Sequence, residues 1–192
     1  MVYISSDAVF DGNSEKLYTE ADETNPINVY GRSKLKGEQY VLYHAGNLVL
    51  RTNIYGRNVQ DKQSFGEWIY YGLNDNESLH MFTDIDFSPI LVNELAEIIF
   101  ACYTSNLHGL YHACSTGCIT KYDFATQLKK ISNIDSGYVI PSVSDSAGLK
   151  AQRSKHMGMS NNKICDALGM KISTPVEGIH MFKKQMEASA WR

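Results

Sequence analysis

Two short apolar runs flank a helical segment in the first third of the chain. Residues 2–4 form a β-prone run that ends in polar residues, and residues 48–50 form a continuous apolar run typical of a strand buried on both faces. Between them, Asn25 as an N-cap and Pro26 at the first helical position predict a helix that runs to about His44. The order of strand, helix and strand predicts a parallel α/β unit.

Amphipathic spacing predicts further helices toward the C-terminus. A helix is expected from Thr120, with Asp123 in a capping box, a second from Ser160 to Gly169, and a third from Thr174. Short strands are expected at residues 110–113 and 138–140. An earlier helix is expected over about 92–103, and its inward stripe would be Val92, Leu95, Ala96, Ile99 and Tyr103.

Composition and charge narrow the class of protein. The chain has 192 residues, of which 43% are hydrophobic, which suits a folded core rather than a disordered or fibrous chain. Its net charge of −3 argues against a general nucleic-acid binder. The sequence shows neither a long apolar span nor a signal-peptide pattern, so no membrane association is expected. Four cysteines are too few for a disulfide scaffold, so the cytoplasm is the expected compartment.

A tyrosine and a lysine share one face of the first helix. Tyr30 and Lys34 are four residues apart, so their side chains lie about one turn from each other. A lysine ammonium beside a phenol favours the ionised phenol, and such a pair can give or take a proton near neutral pH. Taken alone this spacing also fits an ordinary surface pair, because the chain contains 12 tyrosines.

Polar residues follow both strands that flank this helix. Ser5, Ser6 and Asp7 come directly after the first strand, and Thr52 and Asn53 follow the second. In open parallel sheets, ligands bind beyond the carboxyl ends of the strands. The sequence therefore predicts that these side chains meet the tyrosine and lysine pair at one edge of the sheet.

Four runs of the sequence together resemble one family. They are I-S-S-D-A-V-F-D-G at 4–12, Y-x-E-x-D-x-x-x-P at 18–26, Y-G-R-S-K-L-x-G-E at 30–38 and R-T-N-I-Y-G at 51–56. On these runs the chain resembles the extended short-chain dehydrogenase/reductase family, and its V-F-D-G variant is most similar to dTDP-4-dehydrorhamnose reductase and its relatives. The resemblance implies an α/β fold, with the C-terminal part of a Rossmann-type parallel sheet in residues 1–56. Residues 57–192 would mainly form a smaller α/β substrate-binding lobe, with some segments returning to the first domain.

The resemblance also implies a site and a reaction. Ser6, Tyr30 and Lys34 would be catalytic. Tyr30 would protonate a carbonyl oxygen as a hydride arrives from NADPH or NADH, Ser6 would hydrogen-bond that oxygen, and Lys34 would favour the ionised tyrosine and bind the cofactor ribose. The cofactor-binding set would be Ser5, Ser6, Tyr30, Lys34, Thr52 and Asn53, and the substrate-binding set Asp7, Asn53 and Arg153.

By the same resemblance, the reaction is reduction of a nucleotide-activated 4-keto sugar in nucleotide-sugar and polysaccharide biosynthesis. Dehydratases of the family carry an Asp-Glu pair after the hydroxyl residue. This chain has Asp7-Ala8 there, so elimination of water lacks its base. A sugar-nucleotide epimerase with the same triad, and an inactive or regulatory homologue, stay open as alternatives. The partner would be a nucleoside diphosphate sugar, and a homodimer is compatible with the family.

Three departures from the family pattern stand out. The sequence contains no G-x-x-G-x-x-G turn to bind a pyrophosphate, so the chain is expected to be part of a larger nucleotide-binding unit and to bind cofactor poorly alone. Ser154 stands where a proline is expected after Arg153, and Asn53-Ile54 lacks the tryptophan frequent in such reductases.

The spacing of Cys114, Cys118 and the nearby histidines does not fit a zinc site, so no metal is expected.

Overall fold

The computed structural model describes residues 1–59, 62–144 and 154–188. Within these ranges the strands are β1 (Val2–Ile4), β2 (Leu48–Arg51), β3 (Ile54–Tyr55), β4 (Ser78–Phe82), β5 (Asp86–Phe87), β6 (Ile90–Leu91), β7 (Gly109–His112), β8 (Ile119–Thr120), β9 (Tyr138–Ser142) and β10 (His156–Met157). The helices are α1 (Val29–Leu42), α2 (Phe65–Asn74), α3 (Val92–Thr104), α4 (Lys121–Ile131), α5 (Asn162–Leu168) and α6 (Pro175–Glu187), and a 3₁₀ turn at Asp7–Val9 follows β1.

The strands form small, mostly parallel sheets. The main sheet has the order β1-β2-β7, and both of its pairings are parallel. β3 pairs with β6 and β4 with β9, again in parallel, whereas β5 lies between parallel β10 and antiparallel β8. The prediction of an α/β fold with a parallel sheet is confirmed.

Two large hydrophobic clusters hold these sheets and helices together. One packs the main sheet against α3 and α5, with Leu50, Ile98 and Ile164 fully buried. The other surrounds β4 and the helices α2, α4 and α6, and its centre includes Phe124 and Phe182. β7 pairs with β2, so a segment beyond residue 56 lies in the main sheet. The division of the chain at residue 56 stays a prediction.

The first helix begins later than predicted. Its N-cap is Asn28, whose Oδ1 accepts a hydrogen bond from the Gly31 amide at 2.8 Å. The prediction of Asn25 as N-cap was wrong, because the Asn25 side chain donates to Asp11 instead. Asparagine caps a helix only where its oxygen reaches the amide two or three residues on, and here only the later asparagine does so.

The structure also corrects the face that α3 buries. The buried residues are Leu95, Ile98 and Cys102, whereas Tyr103 is 78% exposed. Neighbouring stripes on a helix share residues, and the sequence could not show which stripe meets the main sheet. The helix α2 was not predicted, although Ser64 and Glu67 form a capping box at its start.

Candidate functional site

A polar cleft lies beyond the carboxyl ends of β1 and β2. Its volume is about 510 Å³. The structure brings together seven of the predicted site residues as its lining, namely Ser5, Ser6, Asp7, Tyr30, Lys34, Thr52 and Asn53. Arg153, the remaining predicted residue, lies outside the described residues.

Close packing of α1 places one wall of the polar cleft. Gly31 touches the 3₁₀ turn so closely that a Cβ at this position would lie 2.0 Å from the Ala8 carbonyl oxygen. One and a half turns later, a Cβ on Gly37 would lie 2.2 Å from the Tyr3 hydroxyl. The two glycines let the helix approach β1 and its following turn, and this approach carries Tyr30 and Lys34 to the end of the strand.

Lys34 is fixed by the backbone of β1. Its Nζ donates to the Ile4 carbonyl oxygen at 3.0 Å and lies 5.8 Å from the centre of the Tyr30 ring. Tyr30 is 57% exposed and lines the polar cleft. The lysine thus has a defined place between the strand end and the tyrosine, with its ammonium beside the phenol ring.

Ser6, Asp7 and Asn53 form a hydrogen-bonded chain at the floor of the polar cleft. The Ser6 hydroxyl donates to Asp7 Oδ1 at 2.9 Å, and Asn53 Nδ2 donates to Asp7 Oδ2 at 2.5 Å. The Ala8 amide donates to Ser6 Oγ at 3.2 Å. Burial raises the pKa of Asp7, against the hydrogen bonds from Asn53 and Ser6 and the positive charge of Lys121, which favour the ionised carboxylate.

Two buried hydroxyls at this floor lack a hydrogen-bond partner among the described residues. They belong to Ser5 and Thr52, which follow β1 and β2 and are each 3% exposed. A buried polar group without a partner costs free energy unless a ligand or water satisfies it. The two hydroxyls therefore fit a ligand that offers hydroxyl or amide groups, as a nicotinamide dinucleotide does.

An aromatic cavity of about 330 Å³ adjoins the polar cleft. The two share Asp7, Ala8, Asn28 and Asn53. Its other lining residues were not predicted from the sequence. They are Phe65, Trp68, His80, Met81, Phe82, Ile85, Asp86, Phe87, Lys121, Ser154 and Met157. No local sequence signal marks this set, because its members come from several separate elements.

Lys121 brings an ammonium group to the lining of the aromatic cavity. Its Nζ lies 3.1 Å from the centre of the Phe87 ring and 4.4 Å from that of Phe65. The cavity therefore combines aromatic faces with the ammonium of Lys121 and the carboxyl groups of Asp7 and Asp86. The aromatic faces suit a ligand that contains a ring.

A buried ion pair supports the polar cleft from below. Arg51 at the end of β2 donates to Glu38 of α1 through Nε at 2.9 Å and Nη2 at 2.7 Å. Both side chains are at most 4% exposed. The pair joins the helix that carries Tyr30 to the strand that precedes Thr52, and the sequence analysis did not foresee it.

Neither a metal cluster nor a membrane helix occurs in the described parts of the chain. No group of three histidine, cysteine or acidic side chains there could hold a metal ion. None of the helices in the described ranges is long and apolar enough to cross a bilayer.

His112 is fully buried beside Arg51, and burial lowers its pKa to about 3.

The chain matches a known family over almost its whole length. The family model described as RmlD substrate binding domain matches residues 1–187. Methionine adenosyltransferase 2 subunit beta of Danio rerio is 30% identical, over 100% of this chain and 59% of that protein. A dTDP-4-keto-6-deoxy-D-glucose reductase of Streptomyces niveus is 34% identical, over 76% of this chain and 50% of that protein.

The fold is also similar to that of solved reductases. The structure of dTDP-4-dehydrorhamnose reductase from Bacillus anthracis in complex with NADP superposes with a TM-score of 0.88 and 29% identity, covering 96% of this chain and 65% of that one. This chain spans between 50% and 59% of the length of the two curated relatives. The expected Rossmann-type architecture thus agrees with solved structures of the family.

Proposed function

The chain belongs to the RmlD substrate-binding domain family, and from that premise we propose that it carries the reaction site of an NAD(P)-dependent reductase for a nucleotide-activated 4-keto sugar. In this proposal Ser6, Tyr30 and Lys34 are the catalytic residues. The single observation that carries it is that these three side chains line one cleft together with two buried hydroxyls that have no partner among the described residues.

In the proposed reduction, each residue of the polar cleft has a separate role. The nicotinamide, when bound, supplies a hydride to the carbonyl carbon. Tyr30 gives its phenol proton to the carbonyl oxygen, which becomes the alcohol of the product. Ser6 holds that oxygen by a hydrogen bond. The Lys34 ammonium stabilises the phenolate that forms on Tyr30, and its fixed place at the end of β1 supports this role.

Two further hydroxyls would hold the cofactor rather than take part in the proton transfer. Ser5 and Thr52 lie at the floor of the polar cleft. Their hydroxyls, which have no partner among the described residues, would form hydrogen bonds with polar groups of the cofactor. Lys34 would also contact the ribose. Asn53 adjoins both cavities and would contact cofactor and substrate.

The aromatic cavity supports the nucleotide-sugar part of the proposal. It opens at Asp7 and Asn53, next to the proposed reacting residues, and offers Phe65, Phe87 and the ammonium of Lys121. A nucleoside diphosphate sugar combines a flat base, an anionic diphosphate and a polar sugar. With its sugar at Ser6 and Tyr30, such a ligand would extend into this cavity.

The test is turnover with the Tyr30→Phe variant. The chain would be assayed joined to a segment that supplies the glycine-rich phosphate-binding turn, with a dTDP-4-keto sugar and NADPH or NADH. Removal of the phenol proton donor should lower kcat by about 10²- to 10⁴-fold. Tyr40→Phe on the same helix, where Tyr40 is 68% exposed, is the matched control and should keep full turnover.

Two outcomes would contradict this function. Full turnover of Tyr30→Phe would remove the proposed proton donor. Absence of turnover in the unaltered protein, with sugar nucleotide still bound, would favour a non-catalytic role. The second outcome must be measured directly, because relatives named as subunits of methionine adenosyltransferase are about as similar to this chain as those named as reductases.

A further inference from the structure

The hydrogen bonds of Ser6 conflict with the role that the proposed function gives it. A serine hydroxyl has one hydrogen to donate. In the structure, Ser6 donates it to Asp7 Oδ1, and its oxygen accepts from the Ala8 amide. While Asp7 is an ionised carboxylate, which can only accept, Ser6 has no hydrogen left for the carbonyl oxygen of a ligand.

One proton on Asp7 would resolve the conflict without moving a heavy atom. A protonated carboxyl group has one O–H donor and one carbonyl oxygen. With the proton on Oδ1, Asp7 donates to Ser6 Oγ, while Oδ2 still accepts from Asn53. Ser6 then accepts from Asp7 and from the Ala8 amide, and its own hydrogen is free to point into the polar cleft.

We propose, on the basis of the proposed function, that Asp7 is a positioning residue that works as a carboxylic acid and turns the Ser6 hydroxyl hydrogen toward the carbonyl oxygen of the sugar. The fixed contact from Asn53 selects which oxygen carries the proton. Since Asn53 donates to Oδ2, that oxygen remains the acceptor, and Oδ1 is the one that can donate to Ser6.

Burial of Asp7 favours the acid form, whereas the hydrogen bonds that it accepts from Asn53 and Ser6 favour the ionised form. The side chain lies in the protein interior at 6% exposure, and burial raises its pKa. The opposing positive charge is Lys121 of α4. The other titratable groups around it in the two cavities and behind it are Tyr30 and Lys34 of α1, His80 of β4, Asp86 of β5 and Cys114 after β7.

Two substitutions of Asp7 separate this role from simple packing. Asp7→Asn supplies an N–H donor for Ser6 and a carbonyl oxygen for Asn53, which is the pattern of the protonated acid, and it cannot ionise. We expect it to keep kcat within about threefold, whereas Asp7→Ala should lose at least about tenfold, the effect of a missing hydrogen bond. Asp11→Asn, whose carboxyl does not line either cavity, is the control.

The pH profile of turnover provides the second readout. In the unaltered protein, kcat should fall as the pH rises through the pKa of Asp7, because the ionised carboxylate accepts the hydrogen bond from the Ser6 hydroxyl and turns its hydrogen away from the ligand. Asp7→Asn should lack this fall. A fall of unchanged size and position in Asp7→Asn would overturn the proposal, as would an Asp7→Asn variant that is as inactive as Asp7→Ala.

The protonation of Asp7 can be measured without turnover. The carbon-13 NMR signal of its carboxyl group, assigned by its absence in Asp7→Asn, should titrate with a midpoint above the ordinary aspartate value of about 3.9. That midpoint should coincide with the fall in kcat. A midpoint below the pH range in which the protein turns over would overturn the proposal, because Asp7 would then be ionised during the reaction. Full turnover of Tyr30→Phe would instead contradict the proposed function, and the NMR titration would still decide whether Asp7 is an acid.

Discussion

The polar cleft and the aromatic cavity share Asp7 and Asn53 but are built in different ways. Apart from that shared edge, the cleft is lined by residues that lie within the first 54 positions, on two adjacent parallel strands and the helix between them. The remaining lining of the cavity comes from residues 65–157, on elements that are far apart in the sequence. The contrast teaches that local motifs can encode the lining of one cleft, whereas the lining of the adjoining cavity depends on how separate elements pack.

The largest expected effect is a loss of stability when the buried ion pair beside the polar cleft is broken. Arg51→Met would leave the buried Glu38 carboxylate without its partner, and this should lower the free energy of unfolding by about 3–5 kcal/mol. Urea unfolding measures the loss. The double variant Arg51→Met/Glu38→Met removes both charges and should recover most of it. Equal losses in the single and double variants would show that the charges themselves are not what matters.

The next effect concerns the stability of the fold and a buried histidine near Arg51. Burial lowers the pKa of His112 to about 3 from an ordinary value of 6.5, so between these pH values the unfolded chain binds a proton that the folded chain does not. Stability should therefore fall as the pH drops below 6.5, by roughly 1.4 kcal/mol per pH unit. Urea unfolding at pH 6.5 and pH 5 should differ by about 2 kcal/mol from this group.

Two histidine variants check that assignment. His112→Gln should lose this part of the pH dependence, whereas His108→Gln, which alters an exposed ring, should keep it. Parallel pH dependences in the unaltered protein and His112→Gln would show that another group is responsible.

A smaller effect is expected from a substitution in the aromatic cavity, and it tests whether this cavity contributes to binding. Lys121→Met keeps an apolar stem over Phe65 and Phe87 but removes the ammonium that would face the anionic diphosphate. We expect KM for the nucleotide sugar to rise about tenfold, consistent with the loss of a charge-assisted hydrogen bond, while kcat changes little. Lys130→Met, on an exposed part of α4, is the control. A change in kcat with unaltered KM would show that Lys121 acts on the reacting groups, for example through its charge on Asp7, rather than on binding of the diphosphate.

Much of the fold and the cleft could be predicted because each signal was local. The apolar run at 48–50, the N-cap at Thr120, the capping box at Thr174 and the glycine stop at Gly169 each encode their element within a few residues. Of the seven predicted cleft residues, five follow β1 and β2 and are expected together from the rule that parallel strands present their carboxyl ends at one edge. Tyr30 and Lys34 were marked by their spacing on α1.

The rest depended on contacts that the sequence does not display. Asn28 rather than Asn25 caps α1 because Asp11 engages the earlier asparagine. The buried stripe of α3 is chosen by the sheet that it meets. The Arg51–Glu38 pair and the position of Lys121 over Phe87 join elements whose arrangement only the folded chain reveals.

The most direct test of the account is a structure of the chain, joined to a segment that supplies the phosphate-binding turn, with sugar nucleotide and cofactor bound. The account predicts one ligand that spans both cavities, with the sugar oxygen at the reacting carbon within about 3.2 Å of Ser6 Oγ and of Tyr30 Oη. Its diphosphate or base would occupy the aromatic cavity beside Lys121. A sugar nucleotide bound away from Ser6 and Tyr30, with the polar cleft empty of sugar, would contradict the account.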